Sequence, residues 1–288
     1  MTSVSPGGPE RESATTPRDA ATVVVARDGA GGLEVFCVER HSKSGFMGGA
    51  LVFPGGKVDA RDALPEWETR ITELDPRARS LASDLATARS YAVAALREAL
   101  EEAALIPVVG GSLDDAGARA LRDACAAAPL DVLLAERGLV LDASRLTAFS
   151  RWITPTAEPK RFDTRFYLLA APLGQEGLHD DHETTKSFWA TPPDVLERWS
   201  RGEVMLAPPT AWALGLFSNC ADVEAAFRAA RTTRLDPVEP RFVTDDGGMV
   251  LTLPGDPLHE GAGESPLEPG GPTRFVLEGG RFLPKRVG

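Results

Sequence analysis

The segment from Asp84 to Ile106 constrains this chain most, because no other stretch is as long and as rich in Ala, Leu, Arg and Glu without a proline or glycine. These residues lose little freedom in a helix, and Pro107 ends the run. At about 100° per residue, Val93, Leu96, Leu100 and Ala103 fall on one side and Glu98, Glu101 and Glu102 on the opposite one. The expected helix has one packing face and one acidic face. Helix-spaced like charges repel by a few tenths of a kcal/mol per pair, so three clustered glutamates call for a positive partner. A hard divalent cation takes oxygen ligands and bridges to phosphates, which makes this face a candidate metal platform with Glu98 and Glu102 one turn apart. A solvated helix face bearing Arg97 explains the same run. The helix alone does not decide between them.

Upstream, a probable hairpin over Thr22–Ala26 and Leu33–Glu39 turns at Asp-Gly and Gly-Gly signals. A third strand, Ala50–Phe53, runs into Pro54-Gly55-Gly56, where missing side chains let a carbonyl approach a metal or phosphate. Downstream, residues 112–137 read as two short helices broken near Pro129, with Gly138 at the C-cap of the second. Arg151–Thr154 and Arg165–Ala170 read as strands, Pro193–Ser200 and Thr210–Arg231 as helices. Two C-terminal hairpins, Arg241–Leu253 and Arg274–Leu283, flank a Gly/Pro-rich loop.

The formal net charge of -11 argues against a nucleic-acid surface. A small anionic ligand remains compatible with it if a cation and a few arginines neutralise it locally. There is no apolar run long enough for a membrane span and no secretory signal, so a cytoplasmic protein with no membrane partner is expected; an oligomer is left open. The chain ends in Arg286-Val287-Gly288, which is not a Ser-Lys-Leu type signal. Cys37, Cys125 and Cys220 are odd in number and widely spaced, and read as free thiols.

The strand-Gly-Gly element and the segment Arg97-Glu98-Ala99-Leu100-Glu101-Glu102 together resemble the Nudix signature. Asp62 stands where that signature usually has Glu, Asp59 is a further acidic loop residue, and Ala104 replaces the closing glycine. The long stretch Ala63–Leu96 splits the signature. In this the chain is similar to the peroxisomal coenzyme A diphosphatase branch, a likeness that extends over Arg40–Gly56, Trp152–Phe166, Trp189–Pro193 and Gly248–Asp256.

The resemblance implies a Nudix-type α/β/α sandwich with a mixed sheet, helical insertions and a β-rich C-terminal tail. Residues 1–18, polar and rich in Ser, Thr, Pro and Gly, read as a disordered tail, ahead of a hydrolase domain (19–215) with an insertion at 63–83 and a C-terminal extension (216–288). The same resemblance implies Mg²⁺ or Mn²⁺ held by Glu98, Glu102 and the Gly55 carbonyl, with Arg97 orienting the glutamates. Glu101 would complete the cluster as ligand or base. Glu183, in the run His179–Glu183, is a second candidate base, and the pair His179 and His182 lacks the further soft ligand of a transition-metal site. Arg40, Lys43, Arg161 and Arg165 are candidates for substrate phosphates, Trp152 and Phe162 for an adenine or pantetheine pocket. The implied reaction is cleavage of a diphosphate bond in a small nucleotide, with coenzyme A or acyl-coenzyme A giving 3′,5′-ADP and (acyl-)phosphopantetheine. A dinucleotide or nucleotide-sugar diphosphatase and a non-catalytic nucleotide sensor are the alternatives. The insertion is expected to cover the active site.

Overall fold

In the computed structural model, which describes residues 15–40, 49–178, 184–245, 248–259, 272–279 and 281–285, the chain is built around one strand that is buried on both faces. This is β1 (Arg18–Gly29): Ala21, Val23 and Val25 enter one core, Val24 and Ala26 the other. It turns at Gly32, with φ +107°, into antiparallel β2 (Gly32–Arg40), as the glycine signals predict. β3 (Ala50–Val52) pairs with β2, and β4 (Gly55–Lys57) crosses back to pair with β1. Two 3-10 turns, Ala60–Ala63 and Pro65–Thr69, and the short α1 (Pro76–Arg79) lead into α2 (Leu85–Ala103).

A two-stranded ribbon of β5 (Val108–Val109) and β6 (Val140–Leu141) encloses α3 (Asp115–Ala124) and α4 (Leu130–Glu136). β7 (Thr147–Ile153) and β8 (Phe162–Ala170) are antiparallel, and β8 runs parallel beside β1. After β9 (Thr184–Ala190), which pairs with β2, come α5 (Pro192–Ser200), β10 (Met205–Leu206), α6 (Pro208–Phe217), α7 (Val223–Thr232) and β11 (Pro237–Val238). The resulting nine-stranded mixed sheet has the order β10-β3-β2-β1-β8-β7-β11, with β4 and β9 added on β1 and β2. A separate antiparallel sheet follows, β12 (Arg241–Asp245), β13 (Gly248–Thr252), β14 (Arg274–Glu278) and β15 (Arg281–Lys285).

One face of the large sheet is covered by α1 to α4, the other by α5 to α7 and the C-terminal sheet. The fold is the expected α/β/α sandwich. The two C-terminal hairpins differ from expectation in being joined through β13 and β14 into one sheet, whose Leu251, Leu253 and Phe275 enter the second core. The single helical region expected over Thr210–Arg231 is two helices, separated at Ser218–Asp222, where the Asp222 side chain caps α7 by accepting from the Ala225 N–H. Residues 15–18 of the tail expected to be disordered are held to the fold, since the Thr15 carbonyl accepts from Arg161 and Arg18 begins β1; residues 1–14 lie outside the described residues.

α2 also departs from its expected two-faced pattern. Asp84 caps it, yet Ala88, Tyr91, Ala92, Ala94 and Ala95 are buried as well as the predicted apolar side. The physical reason lies in the insertion. Trp67, Leu74, Ala78 and Leu81 join the core around α2, and the Trp67 indole N–H donates to the Arg61 carbonyl at 2.9 Å. Burying a large apolar side chain is worth about 1.5–3 kcal/mol, so these residues act as core rather than as a cover. Arg77 fixes the insertion to the sheet, donating to the carbonyls of Ala148 (3.0 Å), Arg231 (2.9 Å) and Thr233 (2.7 Å). All three cysteines are free thiols; burial pushes Cys37 up to about 12. Among the described residues, no helix is long and apolar enough to cross a membrane.

Candidate active site

The glycine pair and the acidic helix face meet despite the insertion between them. The Gly55 N–H donates to Glu102 Oε2 at 3.0 Å. A Cβ on Gly55 would lie 2.6 Å from the Ala21 carbonyl oxygen, and one on Gly56 would lie 2.3 Å from Glu98 Oε1. Gly55 therefore requires glycine, because the neighbouring strand's backbone cannot give way, whereas a side chain at position 56 would displace the Glu98 carboxylate.

Arg97 ties this junction together. Its guanidinium donates to both oxygens of Asp62 (2.9 and 3.0 Å), to Glu98 and Glu101 (2.8 Å each) and to the Lys57 carbonyl (3.0 Å). Asp62 is buried, and its other contact is the Asp59 N–H at 2.8 Å, which closes a capping box on the 3-10 turn. The aspartate at the signature's usual glutamate position thus anchors the arginine that anchors the glutamates. One guanidinium cannot neutralise three carboxylates. Burial, opposed by Arg97 and reinforced by Glu101, pushes the Glu98 carboxyl up to about 7, and burial also raises Glu101. Arg97 itself is held firmly protonated by its carboxylate partners in spite of burial.

Gly55, Gly56, Arg97, Glu98, Glu101 and Glu102 line a cleft of about 850 Å³, together with Arg40, Arg18, Lys160, Phe53 and Trp152. Phe162 and Arg161 also line it. Arg161 is nevertheless committed to the protein: its guanidinium donates to the carbonyls of Thr154 and Thr15 and to Glu239. It ties three cleft-forming segments together and is not a free phosphate ligand.

Arg165 is a clearer correction. It lies on the far face of β8, buried, donating to Asp19 (2.6 Å) and to the Asp163 carbonyl (2.7 Å), with its guanidinium 3.9 Å over the Tyr91 ring. Strand alternation is the cause: Phe162, Thr164 and Phe166 face the cleft and residue 165 cannot. Lys43, Glu183, His179 and His182 lie outside the described residues. The expected cover over the site does not appear among the described lining residues either, since none from 60 to 96 borders the cleft. Arg18, hidden in a stretch read as disordered, and Lys160 are cleft cations that the sequence reading did not single out.

Among the described residues, no three His, Cys, Asp or Glu side chains already surround a common point. The donor set at the junction is oxygen only, carries surplus negative charge and includes a carboxyl whose proton affinity is raised by burial. That chemistry suits a hard divalent cation.

The family model described as the NUDT19 Nudix domain matches residues 68–216, just over half of the chain. The chain belongs to the NUDT19 Nudix family. Among solved structures, a Nudix hydrolase from Alicyclobacillus acidocaldarius is similar at 32% identity and TM-score 0.63, covering 74% of this chain and 96% of that one. The acyl-coenzyme A diphosphatase NUDT19 of Gallus gallus is 27% identical over 84% of this chain and 79% of its own length. The protein of the same name from Homo sapiens is 25% identical over 79% and 72%. As a Nudix hydrolase, the chain carries Ala104 where the signature closes with glycine, and it does so in the left-handed conformation, with φ 52° and ψ 36°. The two halves of the split signature thus meet in space, and its closing position takes a left-handed backbone although it carries alanine.

Proposed function

We propose that this Nudix hydrolase cleaves the diphosphate of coenzyme A or an acyl-coenzyme A, releasing 3′,5′-ADP and (acyl-)phosphopantetheine, with Mg²⁺ or Mn²⁺. The observation that carries the proposal is the meeting of Gly55 and Gly56 with Glu98 and Glu102 in a cleft that cationic and apolar side chains also line. The relatives named acyl-coenzyme A diphosphatase supply the substrate class.

Glu98, Glu102 and the Gly55 carbonyl would hold the cation. A bound divalent ion would offset charge on the phosphoryl oxygens and acidify the attacking water. Arg97 orients Glu98 and Glu101 through charge-assisted hydrogen bonds. Glu101, which is the more exposed of the two and so open to solvent, takes the water's proton, and Glu183 is the alternative acceptor. Arg40, Arg18 and Lys160 bind substrate phosphates; each lines the cleft, and the described structure shows no ion pair for any of them. Water opens the P–O–P bond, one phosphate leaves with the nucleoside, and the other stays on the pantetheine.

Coenzyme A, acyl-coenzyme A, a dinucleotide and a nucleotide sugar, each incubated with Mg²⁺, with Mn²⁺ and with EDTA, test this by product mass. Release of 3′,5′-ADP that EDTA abolishes supports it. Faster cleavage of the dinucleotide or the sugar overturns the substrate class, and tight binding without any turnover favours a sensor.

A further inference from the structure

The apolar part of the cleft comes from two sheets. Trp152 and Phe166 come from the large sheet and Phe53 from the residue after its strand β3, and the C-terminal sheet supplies Phe242, Leu251 and Phe282 to the same cleft. The family match ends at residue 216, so the second wall lies beyond it. Leu251 is buried, whereas Phe242 and Phe282 are only half-buried and pack on each other at 6.1 Å and 45°. Half-buried aromatic rings inside a cleft lose contact with water only when something apolar fills the space, which favours an apolar occupant.

The geometry selects the kind of occupant. A nucleobase is best held in a flat slot with polar groups at its edge, because a site built for hydrogen bonds rejects what lacks them. Here the two rings form a wedge rather than a parallel slot. The six wall residues offer one polar side-chain atom, Trp152 Nε1, and it is buried out of reach. A flexible hydrocarbon chain needs neither slot nor edge groups. Phe242 and Phe282 line the same cleft as Glu98, Glu101 and Glu102 and as Arg18, Arg40 and Lys160, so a chain bound on the two rings would belong to a molecule that also presents phosphates.

We propose that the C-terminal sheet, through Phe242 and Phe282, forms the binding surface for the acyl chain of an acyl-coenzyme A and sets a preference for the acylated over the free substrate. This rests on the coenzyme A reading above.

The test compares kcat/KM for coenzyme A and for its acetyl, hexanoyl and decanoyl thioesters in wild type, Phe242→Ser and Phe282→Ser. In wild type the ratio of decanoyl-coenzyme A to coenzyme A should exceed about 10, since each buried methylene adds discrimination. Either substitution should lower that ratio about tenfold, and the acetyl ratio much less. A ratio is insensitive to a loss of folded protein, so a destabilised variant still reports. Wild type without preference, or a ratio that neither substitution changes, overturns the proposal. Calorimetric binding of decanoyl-pantetheine against pantetheine separates the two readings. Binding that depends on Phe242, with the diphosphate of none of the four substrates cleaved, sinks the reaction and keeps the apolar site; diphosphate cleavage with an unaltered ratio sinks the site and keeps the reaction.

Discussion

Arg97 and Arg165 each gather carboxylates against helix α2, yet the two clusters differ in charge balance. Arg165 and Arg151 face Asp19 and Asp163, two cations against two acids, with Arg151 paired to both oxygens of Asp163 at 2.9 and 2.7 Å. That cluster is closed on itself and turned away from the cleft. Arg97 faces three acids, Asp62, Glu98 and Glu101, with Glu102 beside them on the Gly55 N–H. The surplus charge is kept at the cleft, where it raises the proton affinity of Glu98. A balanced cluster ties elements of the fold together; an unbalanced one at an opening creates a demand for a cation. Net charge over the whole chain reveals neither, because the distinction is local.

The largest expected effect comes from breaking the unbalanced cluster. Glu98→Gln and Glu102→Gln keep shape but remove a negative ligand, and each should lower kcat by about 10²–10⁴-fold. Thermal stability in EDTA should be unchanged or higher, because one repelling charge is gone. Near-normal turnover in either variant would remove that residue from the proposed metal site.

Breaking the balanced cluster should do the reverse. Arg165→Met releases the half-exposed Asp19 to solvent, leaves Asp163 with Arg151 alone and removes the cation from the Tyr91 ring, at a cost of about 1–2 kcal/mol. Activity per folded molecule should hold. Urea titration gives the stability and active-site-normalised turnover gives the rest; a large kcat loss with intact stability would mean that Arg165 serves the site after all.

pH separates the clusters more finely. The folded-state pKa of Glu98 is raised from its ordinary 4.5 to about 7, so over that window the folded protein binds the proton that the unfolded chain has released. Stability from this group is therefore present at low pH and declines as pH rises toward 7, by on the order of 2–3 kcal/mol in cation-free protein. The difference between wild type and Glu98→Gln across that range isolates the term. Mg²⁺ or Mn²⁺ should cancel the slope, because an ion that binds only the ionised folded form stabilises it. A difference that is flat with pH in EDTA contradicts the raised affinity.

What could be read in the sequence follows from the range of the interactions involved. α2 and its acidic face are local, set by composition and an aspartate cap, and they were legible. The meeting of Gly55 with Glu102 was legible only through the split signature, since no local pattern connects residues that far apart. Arg165 points away from the cleft because side chains alternate along β8 from Phe166, a signal that the sequence does contain. Arg161 could not have been resolved, because its partners Thr15, Thr154 and Glu239 meet only in the tertiary structure. The same holds for the insertion, whose Trp67 and Leu81 read as scattered apolar residues until α2 is seen to be buried almost all round. It holds also for Phe242 and Phe282, whose place beside the cleft depends on how the second sheet docks.

The smallest expected effect concerns the end of α2, where the unbalanced cluster is attached. Ala104 is the one non-glycine residue among those described with a positive φ. The conformation is imposed by helix closure: the Ala104 N–H donates to the Leu100 carbonyl at 2.9 Å and the Leu105 N–H to the Ala99 carbonyl at 3.1 Å. A left-handed alanine costs about 1–2 kcal/mol. Glycine would relieve this, but would add about 0.4–1 kcal/mol of unfolded-chain entropy and lose a fully buried methyl worth about 0.8 kcal/mol. These terms nearly cancel, so Ala104→Gly should change stability by no more than about 0.5 kcal/mol. Ala104→Val adds a β-branched side chain where there is neither room nor a permitted backbone, and should cost about 2 kcal/mol or more. The informative reading is turnover. If the cap only ends the helix, Ala104→Gly leaves kcat and its pH profile unchanged. A shift in the pH profile with stability held constant would show that the left-handed alanine sets the position of Glu98 and Glu102, and that part of the cluster's imbalance is maintained by backbone strain.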